Sequence, residues 1–321
     1  MKILFTSVGR RVELLQAFRK AAKELNIDLQ IIGADISTSA PALLFCDEQK
    51  IVRKISDEKY IPQLIKICKE MNIDCLIPTI DTDLLLLSIN KSSFEEIGTK
   101  VLISDVEKIK LCRDKNYTAQ YFNSLGLKSP KSVDSIDKYR MLFPAFIKPK
   151  DGSSSIDAYK VNTYEELELY ANKIKDYVIQ PYISGKEFTV DIFCDYKGNP
   201  IYITPRERLA VRAGEVLKTK ICQDDKIISE MKMLVADYKP CGQITVQLIQ
   251  DEKTGDNYYI EINPRFGGGA PLSIKAGADS AKAVLQIIQG KELSYVDKAA
   301  KEGAIFCRYD QSVCLYEGEQ L

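Results

Sequence analysis

The stretch Tyr258-Tyr259-Ile260-Glu261-Ile262-Asn263-Pro264-Arg265-Phe266-Gly267-Gly268-Gly269 begins as a strand and ends in three glycines. Tyr258, Ile260 and Ile262 alternate with Tyr259, Glu261 and Asn263, the period of a pleated strand. That alternation puts Glu261 and Asn263 on one face, about 7 Å apart at a rise of about 3.3 Å per residue. Two hard oxygen donors at that distance suit a cation such as Mg²⁺ whose shell is completed by water and phosphate oxygens. Arg265 follows on the same face, and the glycines mark a place where backbone comes close to something bulky. Taken alone, the pattern equally suits a polar-faced edge strand ending in a glycine turn, so the rest of the chain has to decide.

Upstream, Gln243-Ile244-Thr245-Val246-Gln247-Leu248-Ile249 is a second strand, joined to the first by the polar hairpin 250–257 with Thr254-Gly255-Asp256 at its tip. Pairing the two strands brings Gln247 beside Glu261 as a third oxygen donor. Further upstream, Ile201-Tyr202-Ile203-Thr204 runs into Pro205-Arg206-Glu207-Arg208-Leu209-Ala210-Val211-Arg212, read as an arginine-rich loop. Arg206, Arg208 and Arg212 clustered there suit phosphate or carboxylate binding; surface salt bridging is the plainer alternative. Tyr177 to Ile183 is a strand that turns at Ser184-Gly185-Lys186 into Glu187–Phe193, so the segment from Gln180 to Glu187 reads as a hinge between two lobes. Pro144–Pro149 is a strand carrying Lys148. It is followed by Gly152-Ser153-Ser154-Ser155, a hairpin tip able to fold over phosphates with its N–H and hydroxyl groups, although G-x-x-x-x-G-K-[ST] is absent.

The first hundred residues have a different texture. Apolar strands at 3–8, 29–34, 75–78 and 100–104 alternate with helical stripes such as Leu14, Leu15, Phe18, Ala21, Ala22 and Leu25, which predicts a parallel, Rossmann-like layer. Gly9 stands without the second and third glycines of a dinucleotide fingerprint, so Asp35 at the right distance completes only half of one. Asp81 and Asp83 sit at a strand end facing a cleft, as substrate contacts or, for at least one of them, as a helix cap. Ser104-x-x-Glu107 and Thr163-x-x-Glu166 read as capping boxes. Asp114 to Leu125 is a helix with Lys115 in its first turn and Gly126 at its end.

Bulk properties narrow the chemistry. The 321 residues hold 45 Lys+Arg and 45 Asp+Glu, so no global positive field points to nucleic acid or to an anionic membrane. No apolar run approaches the length of a membrane span, and the first eight residues do not read as a signal peptide. Nine cysteines without C-x-x-C spacing read as reduced thiols of a cytoplasmic protein. There is no histidine, which removes Ser-His-Asp and Cys-His catalysis and His-based zinc sites.

Lys115, Lys148, the Gly/Ser hairpin, the hinge with Glu187, the Gln247/Glu261/Asn263 set and Arg265 occur in an order that resembles the ATP-grasp superfamily. The resemblance is strongest to stand-alone proteins similar to the large subunit of carbamoyl phosphate synthase. Glu261-Ile262-Asn263-Pro264-Arg265 is its most specific motif. It implies an α/β chain: a Rossmann-like pre-ATP-grasp lobe (1–104), an ATP-grasp N-terminal lobe with the lid (105–185), a C-terminal lobe with the metal site (186–300) and a terminal strand and tail (301–321). It also implies that Lys115 and Lys148 bind ATP phosphates, that Ser153, Ser154 and Ser155 close over them, and that Gln180, Pro181, Tyr182 and Ile183 read adenine. Gln180 stands where many relatives have Glu. By the same resemblance Glu187 binds ribose, Glu261, Asn263 and Gln247 hold one or two Mg²⁺ (Mn²⁺ substituting), and Arg265 steadies the transferred phosphoryl group. The implied activity is that of an ATP-dependent carboxylate–amine ligase working through an acyl phosphate, with Arg206, Arg208 and Arg212 holding the acid. Its partners would be a small carboxylate, an amine and a second copy in a homodimer. Carbamate or bicarbonate phosphorylation and a non-catalytic ATP-binding regulatory module are the competing implications.

Overall fold

The computed structural model describes residues 1–140, 143–150, 157–316 and 319–320. Five strands, β1 (Lys2–Thr6), β2 (Gln30–Asp35), β3 (Glu48–Ile51), β4 (Cys75–Pro78) and β5 (Lys100–Val101), form a parallel sheet in the order β3-β2-β1-β4-β5. Ile3, Leu4 and Phe5 are fully buried at successive positions, because helices cover both faces of this sheet. The helix Val12–Leu25 buries Leu14, Leu15, Phe18, Ala21 and Ala22, and ends on Asn26 in the left-handed region. β3 escapes sequence reading because Glu48-Gln49-Lys50 is polar; it is an edge strand, where charge blunts further pairing. The chain runs outward from β1 through β2 to β3 and then returns to β4. The switch point therefore lies between β1 and β4, at the loops 7–11 and 79–83.

The second sheet is small and antiparallel: β6 (Ala145–Pro149), β7 (Tyr159–Val161) and β8 (Tyr177–Pro181), in the order β7-β6-β8. With the helix Tyr164–Ala171 it encloses its own core of Ala145, Ile147, Val161, Leu167 and Ile179. The expected Ser153–Ser155 lid lies outside the described residues.

The third sheet has six antiparallel strands: β9 (Gly185–Cys194), β10 (Pro200–Arg212), β11 (Glu215–Ile221), β12 (Gly242–Asp251), β13 (Asn257–Asn263) and β14 (Ile305–Cys307), ordered β13-β12-β9-β10-β11-β14. The helix Asp225–Tyr238 covers one face through Ile227, Met231, Leu234 and Val235. Phe122 and Leu127 join the same core, so the helices spanning 106–124 pack on this sheet rather than on the small one. A further core unites the first and third sheets. Phe5, Leu14 and Phe18 pack with Phe193, Ile201, Phe266, Ile274 and Val284, and the Phe18 and Phe266 rings meet edge to face at 6.0 Å.

Four local expectations are corrected. The arginine stretch is not a loop but the second half of β10, which turns at Ala213-Gly214, both at positive φ, into β11. A period of two would leave the three arginines on one face, but the strand runs from the buried interior at Arg206 to an exposed tip, and register shifts between Arg208 and Val211 intervene before Arg212, so their surroundings differ. Ser104 does not cap the following helix. Asp105 precedes it instead, and the buried Ser104 hydroxyl accepts the Cys241 amide at 3.0 Å, tying the first lobe to the third sheet. Neither Asp81 nor Asp83 caps the helix Leu84–Ile89, since both are engaged elsewhere. Finally, β13 does not alternate along its whole length. Gln247 pairs with Glu261 but Leu248 pairs with Tyr259, so Ile260 is the extra residue of a bulge. That shift puts Tyr259 and Ile262 together in the core and leaves Glu261 and Asn263 half-buried on the other face.

Among the described residues no helix is long and apolar enough to cross a membrane.

Candidate active site

Glu261 and Asn263 stand side by side, with Asn263 Nδ2 donating to Glu261 Oε1 at 2.8 Å. Arg265 donates to Asn263 Oδ1 at 3.3 Å and, across the lobe boundary, to Asp81 Oδ2 at 2.6 Å. On the neighbouring strand Gln247, in register with Glu261, accepts from Arg208 Nη1 through Oε1 at 2.8 Å. The result is a polar string from β10 across β12 and β13 into the first lobe. Glu261, Asn263 and Gln247 supply a carboxylate and two amide oxygens on adjacent strands. That donor set fits a Mg²⁺ ion held by few protein ligands and completed by phosphate and water.

Two lysines lie near this string, with Lys148 within electrostatic reach of both Lys115 and Glu261. Lys115 opens the helix Lys115–Ser124, whose cap Asp114 accepts from the Asn116 and Tyr117 amides, and its Nζ donates to the Pro149 carbonyl at 2.9 Å. Lys148 lies on β6 and makes no hydrogen bond or ion pair among the described residues. Burial, then the Lys115 charge, bring its pKa down to about 8, with Glu261 pulling the other way. Gln180 is buried on β8 opposite Phe146, Pro181 and Ile183 are half-buried, and Tyr182 is exposed with Lys160 over its ring. Glu187 is exposed at the start of β9, with its carboxylate 3.7 Å from Arg208 Nε.

The three arginines of β10 part company. Arg206 is 2 % exposed and bonded through Nε to Asp191 at 2.7 Å, in a sealed network with Thr245 and Ser273. Arg208 orients Gln247 and the Gly214 carbonyl. Arg212, exposed at the hairpin tip, pairs with Asp310. Only Arg208 reaches the string; the expected grouping of all three around an acid is not what the strand provides.

The glycine run meets side chains of its own chain. A Cβ on Gly269 would lie 2.5 Å from Arg206 Nη2, one on Gly268 would lie 2.2 Å from Glu215 Oε2, and one on Gly267 would lie 2.8 Å from Thr245 Oγ1. In the first lobe Asp35 braces the loop after β1 by accepting the Gly9 amide at 2.9 Å. Asp83 is buried and takes hydroxyl donations from Thr6, Ser7 and Tyr60 on one oxygen, while the other has no partner. Burial raises its pKa to about 6. Arg11, Glu215 and Arg308, which the sequence left unremarked, gather where the loop after β13 meets the first lobe. The only sequence signal for them was the Arg10-Arg11 pair directly after Gly9 at a strand end.

Residues 3–102 match the family described as "PylC-like, N-terminal domain", and residues 173–307 match "ATP-grasp in the biosynthetic pathway with Ter operon". The "Carbamoyl phosphate synthase large chain, N-terminal section" of Aquifex aeolicus is 24 % identical over 85 % of this chain and 54 % of its own length. The chain thus spans about half of that relative. The "D-alanine--D-alanine ligase B" of Clostridium perfringens is 25 % identical over 78 % of this chain and 91 % of its own. Among solved structures, the biotin carboxylase domain dimer of the Hydrogenobacter thermophilus 2-oxoglutarate carboxylase, in complex with MgADP, ADP and bicarbonate, superposes with a TM-score of 0.73. It is 20 % identical, over 95 % of this chain and 73 % of that one.

Proposed function

We propose, from the premise that this chain belongs to the ATP-grasp superfamily, that it is an ATP-dependent ligase. It phosphorylates a small carboxylate and passes the acyl group to an amine. The observation that carries this reading is the polar string Arg208–Gln247, Glu261–Asn263–Arg265–Asp81 with Lys115 and Lys148 near it. A chain without histidine has in that string the hard donors and cations that phosphoryl transfer needs, since such transfer asks for positioning and charge stabilisation more than for covalent help.

In this mechanism Lys115 and Lys148 hold phosphate oxygens, joined by the serines Ser153, Ser154 and Ser155. Gln180 to Ile183 contact adenine and Glu187 the ribose. Glu261, Asn263 and Gln247 would hold Mg²⁺, one ion or two, with Mn²⁺ as a substitute; when bound it neutralises charge on phosphate oxygens. Arg208 positions Gln247. A carboxylate oxygen of the acid attacks the γ-phosphorus, the bond to the ADP oxygen breaks, and Arg265 steadies the moving phosphoryl group. The amine nitrogen then attacks the acyl carbon, phosphate leaves, and the amine proton passes to solvent. Asp81, bonded to Arg265, fixes that guanidinium's direction.

Glu261→Gln tests the assignment. We expect acid-dependent ADP release to fall about 100-fold or more while the variant keeps the wild-type melting temperature. Wild-type turnover in the variant would sink the reading. All nine cysteines are free, which supports a reducing, cytoplasmic setting. We extend the proposal to a homodimer, as the carboxylase neighbour is described; a monomer mass in sedimentation equilibrium would remove it.

A further inference from the structure

We infer that Arg11, in the loop after β1, is the residue of the first lobe that binds the carboxylate of the acid substrate. The inference deepens the ligase reading and rests on it for the word substrate; the anion site itself stands on geometry. Arg11 sits at the switch point of the parallel sheet, where open α/β sheets take their ligands. Its Nη2 donates to the Thr79 carbonyl at 3.2 Å, which bridges the two loops that flank that crevice. A guanidinium carries five N–H donors, and this one has a single acceptor and no carboxylate within 4 Å among the described residues.

The surrounding arginines are used differently. Arg265 has Asp81, Arg308 has Glu13 and Glu215, and Arg206 has Asp191. Arg206 Nη1 and Arg208 Nε are buried without hydrogen-bond partners, whereas Arg11 is only partly buried. Arg11 Nη1 would lie 2.9 Å from a Cβ on Gly268, so the missing side chain at that position keeps the guanidinium next to the glycine loop that follows Arg265. Burial first, and then the positive charge of Arg265, lower its pKa. The carboxylates of Glu215 and Asp81 pull the other way, but they pair with Arg308 and Arg265 and neither lies within ion-pair distance of Arg11, which leaves its fork of donors for an incoming anion. A planar fork of donors matches a carboxylate, and the phosphoryl acceptor has to enter beside Arg265.

The test uses the full chain saturated with Mg-ADP. Acetate, succinate, L-alanine and L-glutamate are each titrated against chloride at constant ionic strength, and the melting temperature is read for wild type, Arg11→Gln and Arg11→Lys. At least one acid is expected to stabilise wild type and to lose that effect at least tenfold in concentration in Arg11→Gln, with partial loss in Arg11→Lys. The shift produced by Mg-ADP alone remains in both variants, which shows that they fold. If no acid shifts wild type, or the shift survives in Arg11→Gln, the inference is overturned. Hydroxamate formation from the same acids with ATP and hydroxylamine is the second arm. Acid binding that depends on Arg11 without hydroxamate upholds the site and removes the ligase reading. Hydroxamate formed with equal half-saturation by wild type and Arg11→Gln upholds the ligase and removes the role of Arg11.

Discussion

Lys148 has to be protonated to hold a polyphosphate, yet burial and Lys115 bring its pKa down to about 8. If Lys148 holds phosphate as proposed, the free protein must take up a proton above that pH before it binds ATP, and affinity is expected to fall as pH rises, by up to about tenfold per unit. Lys148→Arg keeps its charge throughout, and we expect its Mg-ADP dissociation constant to stay flat between pH 7.5 and pH 9.5 while that of wild type rises. A flat wild-type profile would contradict the assignment. The same scale shows how glycines mislead. Gly267 to Gly269 signalled close approach, which is what they provide, but the bodies that approach are Thr245, Glu215 and Arg206. Composition can announce that a side chain would not fit at a position without saying what fills the space.

Single elements separate residues that the sequence set together. Arg206 and Arg212 lie on one strand, one sealed with Asp191 and the other at the exposed tip with Asp310. Arg206→Ala leaves the Asp191 charge buried without its partner, and we expect it to cost about 3–5 kcal/mol in urea unfolding. Arg212→Ala should leave the urea midpoint where it is, as exposed pairs contribute little; equal losses in the two variants would refute this division. The string through Gln247 and Glu261 was legible because a two-residue period and a short hairpin bring the two together without any long-range information. The bulge at Ile260 was not legible, since no local rule marks where a strand takes an extra residue. Nor was β10, where Pro205 and the three arginines imitate a loop. Ser104 had the spacing of a cap, but its hydroxyl was claimed by the Cys241 amide, 137 residues away in the chain.

At the scale of the molecule the cores divide unevenly. The small sheet β7-β6-β8 has a hydrophobic core of residues between 133 and 179 alone, while the first and third sheets share one. We therefore expect the lobe carrying Lys148 to move as a unit against the joined sheets that carry Glu261 and Asn263. Hydrogen exchange in β6 and β8 should be faster than in β1 and β9 and should slow when Mg-ADP is added, with β1 and β9 unchanged. Uniform protection across all four strands would argue for a single rigid body. The joint core also bears on redesign. Swapping residues 1–104 for the matching lobe of a relative would be the obvious way to exchange acid specificity, because the proposed acid-binding Arg11 travels with it. Phe18 packs on Phe266, and Leu14 shares its core with Ile274 and Val284, so the first lobe is not a removable cassette. A functional chimera must import the partner faces of the helices Ala270–Ala276 and Ser280–Ile288 together with the loop that carries Arg11.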